Sequence, residues 1–341
     1  MQSGSSGQRT KPEESMLASA TFDAVPRVGV VLSSLKQAEE HDGTKLTGLA
    51  QPCPPDSSLS REQMAAMLHK AMEFSARRLS RPGRSGPRKM PESDEWVVFV
   101  AALSAQSRAD EVLVFTMLED YAKRGMGRRL TLAADGAAPA SWSERLKQVS
   151  AAHPARRIEY VDLSKDAWLQ APAPRRTFAK SNPQGVYALA KTVLECDRLI
   201  SIAPLATSPV TGVAAAVANY WAVAPREVYG ANREKLFALG DAVDVLTDLY
   251  LHHPADFAVV GGAQHRDEKG AVRHNIVIAG GNAVAVDTIA AAVMGFQADK
   301  LPLLDRLEAR GFGVGNPDSI WTRGNEIDEA RKAFQKPAGY L

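Results

Sequence analysis

Only two cysteines, Cys53 and Cys196, occur among the 341 residues. Two thiols are too few for a disulfide framework, a four-thiolate zinc site or an iron–sulfur cluster. Cys196 falls at a helix-to-strand junction and reads as a buried structural thiol. Cys53, in the Pro-flanked stretch QPCPP, reads as an exposed thiol that nothing nearby activates. Charge of one sign is also lacking. A formal net charge of +2 gives no general case for nucleic acid or a membrane surface as partner. No run of about 18 apolar residues occurs, so no membrane span is expected. The opening MQSGSSGQRTKPEES is polar and has no apolar signal-peptide region, which makes the cytoplasm the default location. The phosphate-loop pattern GxxxxGK(S/T), a GxGxxG after a strand, a GxSxG elbow and HExxH are all missing. GFGVG at 311–315 follows a helix and reads as its end. The residues name no cofactor and no metal.

What is present is an ordinary globular composition, 45% hydrophobic and 23% charged. The length suits one large α/β domain or two smaller ones. Residues 1–25 read as a disordered tail and 26–341 as an α/β domain. A first strand is expected at 27–35. Ser60 with Gln63 three residues on makes a capping box for a helix running to about residue 79. Residues 77–90 (RRLSRPGRSGPRKM) form a basic loop that Gly and Pro keep from making a stable basic face. From residue 95 strands and helices alternate. Strands are expected at 96–103, 129–134, 157–163, 198–205, 256–261, 275–280 and 319–322. Helices are expected at 110–124, 141–153 (capped by Ser141 or Ser143), 184–195, 234–252, 283–294 and 301–309. This alternation predicts an α/β fold, a mostly parallel sheet with helices on both faces.

In such a sheet the loop after a strand's carboxyl end, leading into a helix N-terminus, is where ligands bind. Residues 196–225 (CDRLISIAPLATSPVTGVAAAVANYWAVAP) have that form. Thr207, Ser208, Thr211 and Gly212 offer hydroxyls and free amides to a carboxylate or phosphate, and Asn219 stands alone among apolar residues. No Lys or Arg lies between 199 and 225 to add counter-charge, so a tight turn whose hydroxyls cap the helix is an equal reading.

Residues 275–295 (NIVIAGGNAVAVDTIAAAVMG) repeat the pattern around Gly280, Gly281 and Asn282, with Asp287 the single charge in an apolar helix. A carboxylate there costs several kcal/mol unless it is paired or hydrogen-bonded. It therefore has a specific partner, either a site or backbone N–H groups of a neighbouring loop.

Asp244, Asp248 and His252 are four apart and share a helix face, next to Asp241. The face suits a divalent metal or an acid–base pair, and more plainly a solvent-facing polar stripe. His265, with Arg266, follows a strand end in the position of a site residue, although Lys269–Gly270 nearby reads as a turn in a hydrated hairpin.

Three blocks together resemble the domain-of-unknown-function 362 family over about residues 95–325: 196–225, 256–270 (ADFAVVGGAQHRDEKG begins one residue earlier), and 278–296 continuing into RGFGVGNPDSIWTRG. Thr207, Thr211, Gly212, Asn219 and Asp287 match the family pattern. Ala206 stands where the family has Lys, Ser208 where it often has His, Ala218 in place of the Lys before Asn219, and Asn282 in place of an Asp. The early Lys-Pro-Asn motif, expected near 99–104, is absent, and iron–sulfur electron transfer is not implied.

Two readings follow. In the first the chain is an enzyme acting on a small polar or anionic metabolite in a cleft between the two strand–loop–helix units. Thr207, Ser208, Thr211, Gly212, Asn219, Gly281 and Asn282 would bind the substrate, and Asp287, with His265, would handle protons or hold a cation. In the second it is a non-catalytic binding or scaffold protein on the same fold.

Overall fold

The computed structural model describes residues 25–39, 45–76, 93–104, 107–172 and 185–340. The expected tail at 1–25 lies almost wholly outside these, and the basic loop at 77–90 entirely so. Eight strands form the main path of one sheet: β1 (Arg27–Leu32), β2 (Trp96–Ala101), β3 (Arg129–Ala134), β4 (Arg157–Asp162), β5 (Arg198–Ala203), β6 (Phe257–Asp267), β7 (Gly270–Gly280) and β8 (Trp321–Gly324). Their order is β8-β1-β7-β6-β5-β2-β3-β4. Every neighbouring pair is parallel except the two that involve β7. The sheet is therefore mostly parallel, and β7 alone runs against it.

Helices cover both faces: α1 (Arg61–Ser75), α2 (Glu111–Arg124), α3 (Ala140–Ala152), α4 (Ala242–His252), α5 (Ala283–Val293) and α6 (Pro302–Ala309). Alternate strand residues sort onto the two faces, as a pleated strand requires. Val97, Phe99 and Ala101 pack with α1, α2 and α3, whereas Val98 and Val100 pack with α4, α5 and α6. Ser60 and Gln63 cap α1 reciprocally, as the capping box requires. Its buried Met67 and Phe74 contribute about 2 kcal/mol each by leaving water. The helix rests directly on β1, because a Cβ at Gly29 would lie 2.1 Å from the Ala71 carbonyl oxygen.

Several expected elements are corrected. Residues 184–195 are not one helix. Val186–Ala190 is a strand paired antiparallel with Trp168–Pro172, and only Lys191–Glu195 is helical. The long helix at 234–252 is broken into Glu234–Phe237 and α4, because Asp241 caps a fresh helix start through the N–H groups of Val243 and Asp244. Neither Ser141 nor Ser143 caps α3, whose N-cap is Pro139. Ser141 instead donates to Glu111 at 2.8 Å. The strands expected at 256–261 and 275–280 are the sheet-bound halves of a longer hairpin, β6–β7, that runs past the carboxyl edge of the sheet. Among the described residues no helix is long and apolar enough to cross a membrane.

Candidate functional site

Chain leaving β5 does not pass straight into a helix. It first makes a small hairpin, Ala206–Ser208 against Gly212–Ala214, whose Ala206 also pairs with Arg266 of β6. The Ser208 hydroxyl oxygen accepts the N–H groups of Val210 and Thr211, both at 3.2 Å, and so closes the turn. Thr211 is buried and donates to the Val213 carbonyl at 2.8 Å. Gly212 has φ +77°, and a Cβ there would lie 2.7 Å from Leu301 and 2.9 Å from the Tyr340 ring. Only glycine fits both restrictions. Thr207 donates to Glu268, in the turn between β6 and β7, at 3.2 Å.

The segment that follows is a 3-10 helix, Val217–Val223. Its free leading amides are taken by Asp287 of α5, with the Ala216 N–H at 2.8 Å on one carboxylate oxygen and the Val217 N–H at 2.9 Å on the other. Asp287 is 4% exposed. Burial pushes its carboxyl up to about 7, against the opposing pull of the two N–H donors. Asn219 points into the sheet, donating to Ser201 Oγ at 2.9 Å and to the Ile202 carbonyl at 3.1 Å. Ser201 in turn donates to the Ala216 carbonyl at 2.8 Å.

The second turn is likewise filled from within. Asn282 caps α5 by accepting the Ala285 N–H at 2.9 Å, and its amide donates to the Phe312 carbonyl at 3.2 Å. Gly281 joins β7 to this cap, with only the Asp256 carbonyl oxygen near its Cβ direction, at 3.9 Å. The two strand–loop–helix units thus meet through Asp287. The space left there is a void of about 10 Å³ lined by Thr211, Val213, Asp287, Leu301, Leu303 and Leu304. A depression of about 620 Å³ lies elsewhere, between the carboxyl end of α5 and residues 316–331. None of the residues singled out in the sequence lines it.

His265 is a strand residue of β6 and is 4% exposed. Its Nδ1 accepts the Leu205 N–H at 3.1 Å, and its Nε2–H donates to the His274 carbonyl at 2.6 Å. That pairing specifies the neutral ring, and burial lowers its pKa to about 4. His265 shares no bond with Asp287.

The face Asp244–Asp248–His252 turns inward rather than toward solvent. Asp244 pairs with Arg306 of α6. Asp248 is fully buried and accepts the Tyr187 hydroxyl at 2.7 Å. His252 lies edge-on to the Tyr187 ring, with its pKa lowered by burial to about 4. Among the described residues no group of three His, Cys, Asp or Glu is placed to hold a metal ion.

One cluster escaped the sequence reading. Asp135, at the carboxyl end of β3, takes Arg226 at 2.8 Å and Arg233 at 2.9 Å. Burial alone would raise its carboxyl, but the two guanidinium groups hold it below the usual range. Arg233 is buried and holds φ +55°. The Asp-Gly ending of the strand was the available signal; nothing in the sequence pointed to the arginines.

A family model described as a domain of unknown function, DUF362, matches residues 118–292, just over half of the chain. The chain belongs to the DUF362 family. The matched stretch is narrower than the expected 95–325, but it holds both strand–loop–helix units, Asn219, His265 and Asp287 of this DUF362 protein. A search of the curated proteins finds no match.

Proposed function

We propose that this DUF362 chain is a non-catalytic binding or scaffold protein, acting through its surface on another protein in the cytoplasm. One observation carries the reading. The Asp287 carboxylate fills the amide cradle at Ala216 and Val217, where an anionic ligand would otherwise sit. The second turn supports it, since Asn282 occupies that helix start. Both nitrogens of His265 are engaged as well. The hydroxyls of Ser208 and Thr211 serve their own hairpin. Ala206 and Ala218 take the places where the family resemblance expects lysines, so the counter-charge for an anion is missing too.

The enzyme reading, in which a small polar or anionic metabolite is the substrate, keeps one specific observation in its favour. Asp287 lines the void beside Thr211 and Val213, and burial pushes its carboxyl up to about 7, a range suited to proton transfer at neutral pH.

Thermal denaturation in the presence of millimolar phosphate, pyrophosphate, citrate, Mg²⁺ and Mn²⁺ separates the two. Under the binding-protein reading none of them raises Tm by more than about 1 °C, because a site-directed ligand would stabilise by mass action. A rise of several degrees that disappears in Asp287→Asn overturns the proposal in favour of the enzyme.

A further inference from the structure

Helix α5 ends at Val293 with no basic residue in its last turn, so nothing there offsets the partial negative charge of its carboxyl end. The depression of about 620 Å³ opens beside that end, within the roughly 300–1,000 Å³ span of ligand pockets. Phe296, Ala298 and Ile327 give it an apolar wall. Four carboxylates line it as well, Asp299, Asp318, Glu326 and Asp328, against one cation, Arg331. The chain as a whole carries a net charge of +2, so the depression runs against the sign of the molecule. Asp328 meets Arg331 at 2.9 Å and Asp299 meets Lys300 at 3.4 Å, both as exposed pairs of little worth. The side chains of Asp318 and Glu326 are exposed and enter no ion pair among the described residues. The wall also engages a cation already. Lys336 holds its ammonium 5.3 Å from the centroid of the Phe296 ring, which is 6% exposed.

We infer that this depression receives a lysine or arginine side chain from a basic segment of a partner protein. Asp318 and Glu326 take the charged head, and Phe296 and Ile327 pack on the methylene stem. Four features of different kinds agree on a cation: an acidic rim, an uncompensated helix end, an aromatic wall holding an ammonium, and a cavity large enough for a side chain. The depression is open rather than enclosed, between residues 292–299 and 316–331, so a peptide can lie across it. The choice of a protein over a free amine rests on the binding-protein reading. The two fail separately, because a metabolite-induced rise in Tm lost in Asp287→Asn would sink that reading and leave cation binding at this depression untouched.

Fluorescence anisotropy of a dye-labelled oligo-lysine peptide, titrated with the full chain at low salt, tests the inference. The wild type should bind saturably. Asp318→Asn combined with Glu326→Gln should weaken binding about tenfold or more, through loss of two close charge pairs. Both side chains are exposed, so this variant should keep the wild-type Tm. Glu144→Gln combined with Glu195→Gln removes the same charge from exposed positions outside the depression. Its affinity should stay within about twofold of the wild type, distant charges being screened. Absence of binding by the wild type overturns the inference. An equal loss in the two double variants overturns it too, since the peptide would then be following net charge alone. Unlabelled spermine held as tightly as the peptide overturns the protein partner in favour of a free polyamine.

Discussion

Asp287→Asn is the substitution that separates a structural carboxylate from an idle one. In the wild type both oxygens accept a backbone N–H, at 2.8 and 2.9 Å, from a site 4% exposed. Asparagine keeps one acceptor and turns an NH₂ toward the other amide. One buried donor loses its partner, at a cost of about 1–3 kcal/mol. The pH dependence carries the sharper information. The carboxyl is raised from 3.8 to about 7 by burial, so between those values the folded state holds one proton more than the unfolded state. Stability from this group is then complete below 3.8 and is lost as pH rises through 7. Each pH unit in that window is worth about 1.4 kcal/mol. The wild type should accordingly lose about 2 kcal/mol relative to the variant between pH 5 and pH 7.

The assay is urea denaturation of both proteins at half-unit steps from pH 5 to 8.5, read as the difference between their unfolding free energies. The difference matters because buried His252 and His265, whose pKa values are lowered, act in the opposite sense and cancel when the two curves are subtracted. The asparagine variant should start well below the wild type at pH 5 and approach it by pH 8. Parallel curves would refute the assignment of the raised carboxyl to Asp287, and with it the account of why an apolar helix carries a single charge.

Two further outcomes follow from the same geometry. His265→Ala removes the acceptor for the Leu205 N–H and the donor to the His274 carbonyl. It should cost about 2–4 kcal/mol by chemical denaturation, and it should flatten the loss of stability that the wild type shows as pH falls from 6.5 toward 4, where the folded ring resists protonation. Gly212→Ala places a methyl within 2.7 Å of Leu301 and 2.9 Å of Tyr340 at φ +77°. It should lower stability by about 1–3 kcal/mol, and a neutral result in the same assay would mean that the hairpin and Tyr340 are not packed together.

How much of this was legible depends on where each residue's partner lies in the chain. The strand at 129–134 coincides with the expected one, because Gly127 and the Asp135–Gly136 pair bracket an apolar run. The capping box at Ser60 is local and was readable for the same reason. Residues 184–195 were misread because Val186–Leu189 owe their extended form to pairing with Trp168–Pro172, a partner that no local pattern announces. The inward turn of the Asp244–His252 face has a similar cause. It depends on Tyr187 and Arg306, both more than 50 positions from the residues they meet.

The candidate site shows the same division at the level of chemistry. A lone carboxylate in an apolar helix states reliably that a partner exists, because the uncompensated charge costs several kcal/mol. It does not state what the partner is. A phosphate held by backbone amides and an aspartate held by the same amides require the same sequence of small residues, since the demand in both cases is close approach to exposed N–H groups. What distinguishes them is which negative charge arrives first, and here it comes from α5, 70 and 71 positions farther along the chain. The presence of an amide-rich turn is therefore weak ground for a ligand until the chain's own acidic residues have been placed. In this DUF362 protein the two turns that resembled ligand sites are joined to the rest of the fold by Asp287 and Asn282.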